Sequence, residues 1–281
     1  MVGKWSCLGD RINEFNYGVR FTLADGQREV TKYPNESGDI NTWYAGKLDG
    51  TIWGYTTVGI AQTQEEMDAH LANNKPNWGS KWGAGDVMYA DLNGDGEVTS
   101  GSSTLGDHGD LTVIGNSYAR YNFGLTLDGS WKGLDFSVFL QGVMKRDYWL
   151  SGPYFWGASG DEWQSACFTE HLDYWTPDNP DAYYPKPYFG GITKNQQVQT
   201  GYLQNAAYLR VKNVQIGYTL PKSWTQKASM ESVRFYVSGD NLLTLTGISA
   251  IFDPETLGGD WGPGKLYPLQ RTISVGVNVN F

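Results

Sequence analysis

Arg271–Phe281 reads RTISVGVNVNF, and this stretch decides the class of fold. Ile273, Val275, Val277, Val279 and Phe281 fill every second position, with Thr272, Ser274, Gly276, Asn278 and Asn280 between them. A side-chain period of two belongs to a strand with one apolar and one polar face. Working back along the chain, the same alternation recurs in Phe15, Tyr17, Val19, Phe21 and Leu23, and in Tyr121, Phe123, Leu125 and Leu127. It recurs again in Leu134, Phe136, Val138 and Leu140, and in VRFYVSGDNLLTL at 233–245. In AYLRVKNVQIGYTL (207–220), Leu209 and Val211 share one parity while Val214, Ile216 and Tyr218 take the other. A one-residue slip near Lys212–Asn213, a β-bulge, reconciles them.

The composition agrees with an all-β chain. Aromatics reach 15%, there are 36 glycines, and charged residues are only 18%, which disfavours a helical bundle. The net charge of −9 argues against nucleic acid as a partner, because phosphates call for clustered Lys and Arg. No apolar run is long enough for a transmembrane helix, but a barrel strand hides its apolar face in alternation. The polar positions Arg20, Asn122, Thr126, Asp135, Ser137, Asn278 and Asn280 all fall on the face opposite the apolar residues. That pattern suits a transmembrane barrel better than a two-layer soluble sheet. Connections alternate short and long, the turns near 129–133 and 221–232 against excursions at 27–116, 147–205 and 246–268. Inside the first excursion, Thr63 followed by Glu66, Met67 and Leu71 predicts a short capped helix. The reading yields about six strands, too few for a barrel to close, since single-chain barrels start at about eight.

Several motifs then become specific in their order: GDVMYADLNGDGEV (85–98), WTPDNPDAYYPKPY (175–188), YLRVKNVQIGYTLP (208–221), VRFYVSGDNLLTLTGIS (233–249) with DPE (253–255), and the closing strand. Together they resemble the C-terminal part of the SusC/RagA family of TonB-dependent outer-membrane transporters. The resemblance implies an antiparallel transmembrane β-barrel segment from a larger, roughly 22-stranded barrel. It places the chain in the outer membrane of a Gram-negative bacterium, with the short turns periplasmic and the excursions extracellular. It implies a SusD-like surface lipoprotein and the TonB complex as partners, and an oligosaccharide or peptide as cargo. Phe281 resembles the signal read by the barrel-assembly machinery. Met1–Ser6 lacks the apolar core of a signal peptide, and no plug domain or TonB box is present, so the chain is expected to be a C-terminal portion. Cys7, placed before the first strand, and Cys167, in a loop, are expected on opposite sides of the membrane and unbridged.

Two groups of residues could carry a site. Asp91, Asn93 and Asp95 stand at positions 1, 3 and 5 of a calcium-type loop, with Gly96 at the turn and the Glu97 carbonyl next. The carboxylate usual at the end of such a loop is missing, with Ser102 in its place; Asp107 or Asp110 could supply it, and the resemblance, which places an Asp shortly before a pair like Ile114-Gly115, implies Asp110. The second excursion carries Trp149, Tyr154, Trp156, Trp163, Trp175 and Tyr184, whose faces could stack on a sugar or meet a partner, or pack a core of their own. Motifs of hydrolases, zinc proteases and phosphate-binding loops are absent, so no enzymatic activity is expected. The competing readings are a secreted, calcium-stabilised β-protein that binds or cleaves carbohydrate, and a transporter fragment without function.

Overall fold

The computed structural model describes residues 2–8, 15–157, 167–188, 192–258 and 262–281. Its strands in chain order are β1 (Val2–Leu8), β2 (Phe15–Ala24), β3 (Thr51–Gly54), β4 (Thr57–Ile60), β5 (Lys75–Pro76), β6 (Val87–Tyr89) and β7 (Glu97–Val98). They continue with β8 (Thr112–Asn116), β9 (Arg120–Trp131), β10 (Leu134–Lys145), β11 (Asp147–Tyr148), β12 (Gln204–Thr219), β13 (Ser232–Gly247) and β14 (Thr272–Asn280). One antiparallel sheet runs β1-β2-β9-β10-β12-β13-β14, with β11 beside β12.

Register places the apolar residues side by side. Phe15, Trp131, Leu134, Tyr218, Phe235 and Val277 form one row across six strands. Val19, Leu127, Val138, Val214, Gly239 and Ile273 form another. Residues directly opposite on antiparallel strands share a face, so these rows make one continuous apolar surface. It is uncovered: Val237 is 50% exposed, Ile273 70% and Val275 79%. The other face carries the row Gly18, Asp128, Ser137, Gln215, Ser238 and Ser274. The sheet therefore inverts the soluble pattern, with apolar residues turned to the surroundings and polar residues bonded to one another on the opposite face.

On the polar face, Arg234 of β13 reaches across β12 to Asp135 of β10, with Nε–Oδ1 at 3.0 Å and Nη2–Oδ2 at 2.5 Å. Gly217 of β12 lies beneath, and a side-chain carbon there would fall 2.6 Å from the Arg234 Cζ. Gly217→Val is expected to push the guanidinium off Asp135 and lower stability by about 1–3 kcal/mol, from overpacking plus the lost pair. A urea midpoint in detergent equal to that of the parent protein would contradict this.

The bulge expected near Lys212–Asn213 is present: Phe139 faces Asn213 and Leu140 faces Val211, leaving Lys212 unpaired, and β13 shifts register at the same level. Two features differ from the sequence reading. Among the described residues the sheet has eight strands rather than about six. The added ones are β1 and the two-residue β11. Cys7 thus lies within β1, opposite Val19, rather than before the first strand. Val2 and Leu8 share the parity of the polar Lys4 and Ser6, and Gly3 leaves a gap on the parity of Trp5 and Cys7, which hides β1 from a period-of-two reading. The turn near 129–133 is also tighter. Trp131 pairs with Leu134, and Lys132 (φ 47°) and Gly133 (φ 88°) alone make the reversal. Positive φ at both central residues is the hairpin geometry that matches strand twist.

All three long excursions leave from the other end of the sheet. The first holds the pairs β3–β8, β4–β6 and β5–β7 and the helix α1 (Gln64–Leu71). The Thr63 side chain caps α1 by accepting the Glu66 N–H, and Met67 is fully buried. The Glu66 carboxylate takes the Gln62 N–H, one residue before the cap.

Candidate functional site

The excursions form one cap over one end of the sheet. A single core joins Tyr55, Val87, Tyr89 and Val98 of the first to Leu150, Phe155, Trp156, Tyr184 and Tyr202 of the second, and to Ile248, Phe252 and Leu257 of the third. The rings meet mostly edge to face: Phe155 and Trp156 at 5.1 Å, Trp156 and Tyr202 at 4.9 Å. Such pairs add about 0.5–1.5 kcal/mol each beyond the area they bury.

Two polar clusters hold the cap together. The Lys194 Nζ sits 2.5 Å from the Asp86 Oδ2 and donates to the Lys81 carbonyl at 2.6 Å, with the Tyr188 ring 4.4 Å away. Asp86 also accepts from Asn195 Nδ2 and the Gly83 N–H, so this buried carboxylate is satisfied by groups from both excursions. The second cluster fastens the third excursion to the wall. Arg210 of β12 is buried on the polar face and bonds Asp253 Oδ1 at 2.8 Å and Thr244 Oγ1 at 2.8 Å. Its Nη1 lies 3.0 Å from Glu255 Oε1, aligned as an ion pair rather than a hydrogen bond. Lys212 also reaches Glu255, at 3.0 Å.

Where the first excursion leaves β2, Asp25 grips Arg120 with both oxygens, each at 2.6 Å. The hydrogen-bonded guanidinium pulls this carboxyl down to about 2 from 3.8. A depressed folded-state pKa contributes stability that is present above the unfolded value and lost as pH falls through about 2. The pair is therefore expected to persist at pH 4 and open only below about 3. An NMR titration of the Asp25 carboxyl with a midpoint at or above 3.8 would contradict it.

In the 91–97 loop the oxygens are used on backbone N–H groups. Asp91 accepts from Gly94 and Gly96, Asn93 Oδ1 from Asp95, and Asp95 Oδ1 from Glu97. The Asp91 carboxyl is held below its usual range, chiefly by the Gly96 N–H. Asp110 is fully buried beneath the loop and accepts from Leu92, Asn93 and Thr99. Among the described residues, no three His, Cys, Asp or Glu side chains converge as a metal set. An ion here would draw on the side-chain oxygens of Asp91, Asn93 and Asp95, each able to accept beyond its N–H partner, and on the Glu97 carbonyl, a donor chemistry that suits a hard cation.

No family model matches the chain. Over 251 residues, 84% of its length, it is 28% identical to TonB-dependent receptor P3 of Formosa agariphila. It is 23% identical over 279 residues to TonB-dependent receptor SusC of Bacteroides thetaiotaomicron. The chain is similar to TonB-dependent receptors, SusC among them. Its structure aligns with the RagAB peptide transporter at a TM-score of 0.68 and 23% identity, over 99% of this chain and 28% of that one. The chain spans 22% of the P3 receptor and 25% of SusC.

Within this chain, the aromatic residues singled out from the sequence have different surroundings. Trp156, Trp175 and Tyr184 are 5–6% exposed and belong to the packing of the cap. The Trp175 indole donates to Gln62 Oε1 and its ring covers Gly85, whose φ of 88° admits no larger residue easily. Trp149 and Tyr154 are partly buried against the core, and Trp163 lies outside the described residues. Cys167 is a free, exposed thiol. Phe281 follows β14 with its ring 89% exposed.

The sequence marks Pro185–Tyr188 and Asp86 only as parts of longer motifs and gives Lys194 no role. The run Pro185-Lys186-Pro187 was the available signal, since two prolines so close fix an extended ridge. This ridge separates two depressions. One, of about 240 Å³, is walled by Trp156, Phe168, Leu172, Tyr184 and the two prolines. The other opens toward Trp82, Trp175 and Lys81.

Proposed function

We propose that the chain forms part of the wall and the outward cap of an outer-membrane importer, energised through TonB and working with a SusD-like surface lipoprotein. Its cargo would be oligosaccharide or peptide. The observation that carries this is the apolar surface that continues in register across the sheet and is covered by nothing in the described residues. In water such a surface would drive aggregation, whereas in lipid it is the stable face. A secreted carbohydrate-binding protein would instead bury it under a second layer.

In this reading the short turns face the periplasm, the cap faces outward, and Phe281 is read by the barrel-assembly machinery. With Cys7 and the exposed Cys167 replaced by Ser in both variants, Tyr267→Cys, at a position 81% exposed in the third excursion, should react with a membrane-impermeant maleimide on intact cells. Lys222→Cys, in the β12–β13 turn, should react only after lysis. The reverse pattern would refute the orientation, and unimpaired cargo uptake in a deletion strain would refute the importer.

We further propose that the 91–97 loop takes a calcium ion through Asp91, Asn93, Asp95 and the Glu97 carbonyl, with Asp110 holding the loop from below. Support comes from oxygen donors at alternate positions of a loop already closed by its own N–H groups. Calcium should raise the melting temperature of the purified full-length receptor relative to EDTA, and Asp91→Ala should abolish the difference. Identical melting curves with and without calcium would end the idea.

A further inference from the structure

We infer that the depression walled by Trp156, Phe168, Leu172, Tyr184, Pro185 and Pro187 takes one apolar side chain of a peptide cargo; this deepens the importer reading and rests on it. Size is the first argument. At about 240 Å³ the space falls below the roughly 300–1,000 Å³ of pockets for whole small ligands, and suits a single side chain.

Polarity is the second argument. Most of the polar groups at the back of the depression already have partners inside the protein, while the Tyr174 and Tyr184 hydroxyls and Lys186 stand at its edge. The Phe168 N–H donates to His171 Nδ1 at 2.9 Å, so the other ring nitrogen carries the proton and faces the Phe155 carbonyl at 3.2 Å. Asn195 donates to Asp86 and accepts the Val87 N–H. The Tyr188 hydroxyl bonds Asp86, and Gln196 is engaged as well. A sugar ring placed here would bury more hydroxyls than these edge groups can satisfy, at about 1–3 kcal/mol for each left over. A leucyl or phenylalanyl side chain brings no such groups.

Charge supplies the third. Lys186 stands on the ridge between the two depressions, exposed, with its Nζ 5.7 Å from the Tyr188 ring centroid. It can meet a carbonyl or carboxylate of the peptide backbone whose side chain enters the depression.

The test uses the full-length receptor in detergent and isothermal titration with three probes: an acetylated Gly-Phe-Leu-Gly peptide, the all-glycine tetrapeptide and maltohexaose. The Phe-Leu peptide should bind at least about tenfold more tightly than the all-glycine one. Leu172→Glu changes a side chain on the rim that is 71% exposed, so folding should be unaffected. It should weaken the Phe-Leu peptide about tenfold, with no change in melting temperature. Equal affinity for the two peptides, or an unaffected Leu172→Glu variant, overturns the inference. If that variant instead loses only capture of the surface lipoprotein, the depression serves the partner and the inference also falls. Binding of maltohexaose alone would overturn it while leaving the importer reading intact. Uptake of all three probes at parental rates in a deletion strain would overturn the importer reading itself.

Discussion

Arg210→Ala is expected to release the third excursion from the wall and to cost about 3–5 kcal/mol, the range for removing one partner of a buried charge cluster. Arg210 is 2% exposed and holds Asp253, Glu255 and Thr244 at once. Without it, Asp253 loses its cation and Glu255 keeps only Lys212. Both carboxylates are largely buried, so water replaces the guanidinium poorly. The check is limited proteolysis across 248–258 together with a denaturation midpoint. Arg210→Met combined with Asp253→Asn and Glu255→Gln should recover much of the loss, because the unpaired charge rather than the missing bulk carries the penalty. Unchanged protection in the single variant would show that the cluster does not fasten the excursion.

Asp110→Ala should be nearly as costly, about 3–5 kcal/mol from three N–H donors that lose a charged acceptor. Leu92 and Thr99 donate to it at 2.7 Å and Asn93 at 3.3 Å, from both sides of the 91–97 loop. Asp110→Asn keeps one acceptor oxygen and should lose about half as much. Measuring both variants with calcium and with EDTA separates two roles. A cost that is the same in both conditions belongs to the hydrogen bonds. A cost that appears only with calcium would mean that Asp110 acts as an ion ligand, and the hydrogen-bond account would be wrong.

Asp110 also shows what the sequence made legible. The resemblance marks it as a possible ion ligand, whereas its bonds to Leu92, Asn93 and Thr99 depend on a fold that no local pattern spells out; the strands are legible because alternation is a local signal that register later aligns. The bulge at Lys212 was visible for the same reason: a change of parity within one strand has few other physical causes. The DPE motif was recognised by resemblance, but its partner was hidden. Asp253 and Arg210 are 43 residues apart, and only the pairing of β12 with β13 brings them together. The aromatic residues of the second excursion were the hardest to sort. Composition marks Trp156 and Tyr184 as able to stack on a ligand, yet whether a ring is wall or core depends on Tyr55 and Ile248, far away in the chain. The exposed Leu172 and the Pro185–Pro187 ridge drew less notice because their setting exists only after the cap has formed.

The shared core of the three excursions has a consequence for how separable the cap is. Tyr55, Phe155 and Ile248 can meet only if three long loops are closed, and loop closure removes chain entropy that the contacts must then exceed. The sheet supplies that closure beforehand. Pairing of β2 with β9, β10 with β12 and β13 with β14 anchors the ends of every excursion at one rim. The wall thus acts as a template that raises the effective concentration of each excursion for the others. Cut from its strands, the cap would keep its aromatic residues and lose the tether that makes their meeting favourable, so it is a dependent unit rather than a transplantable domain.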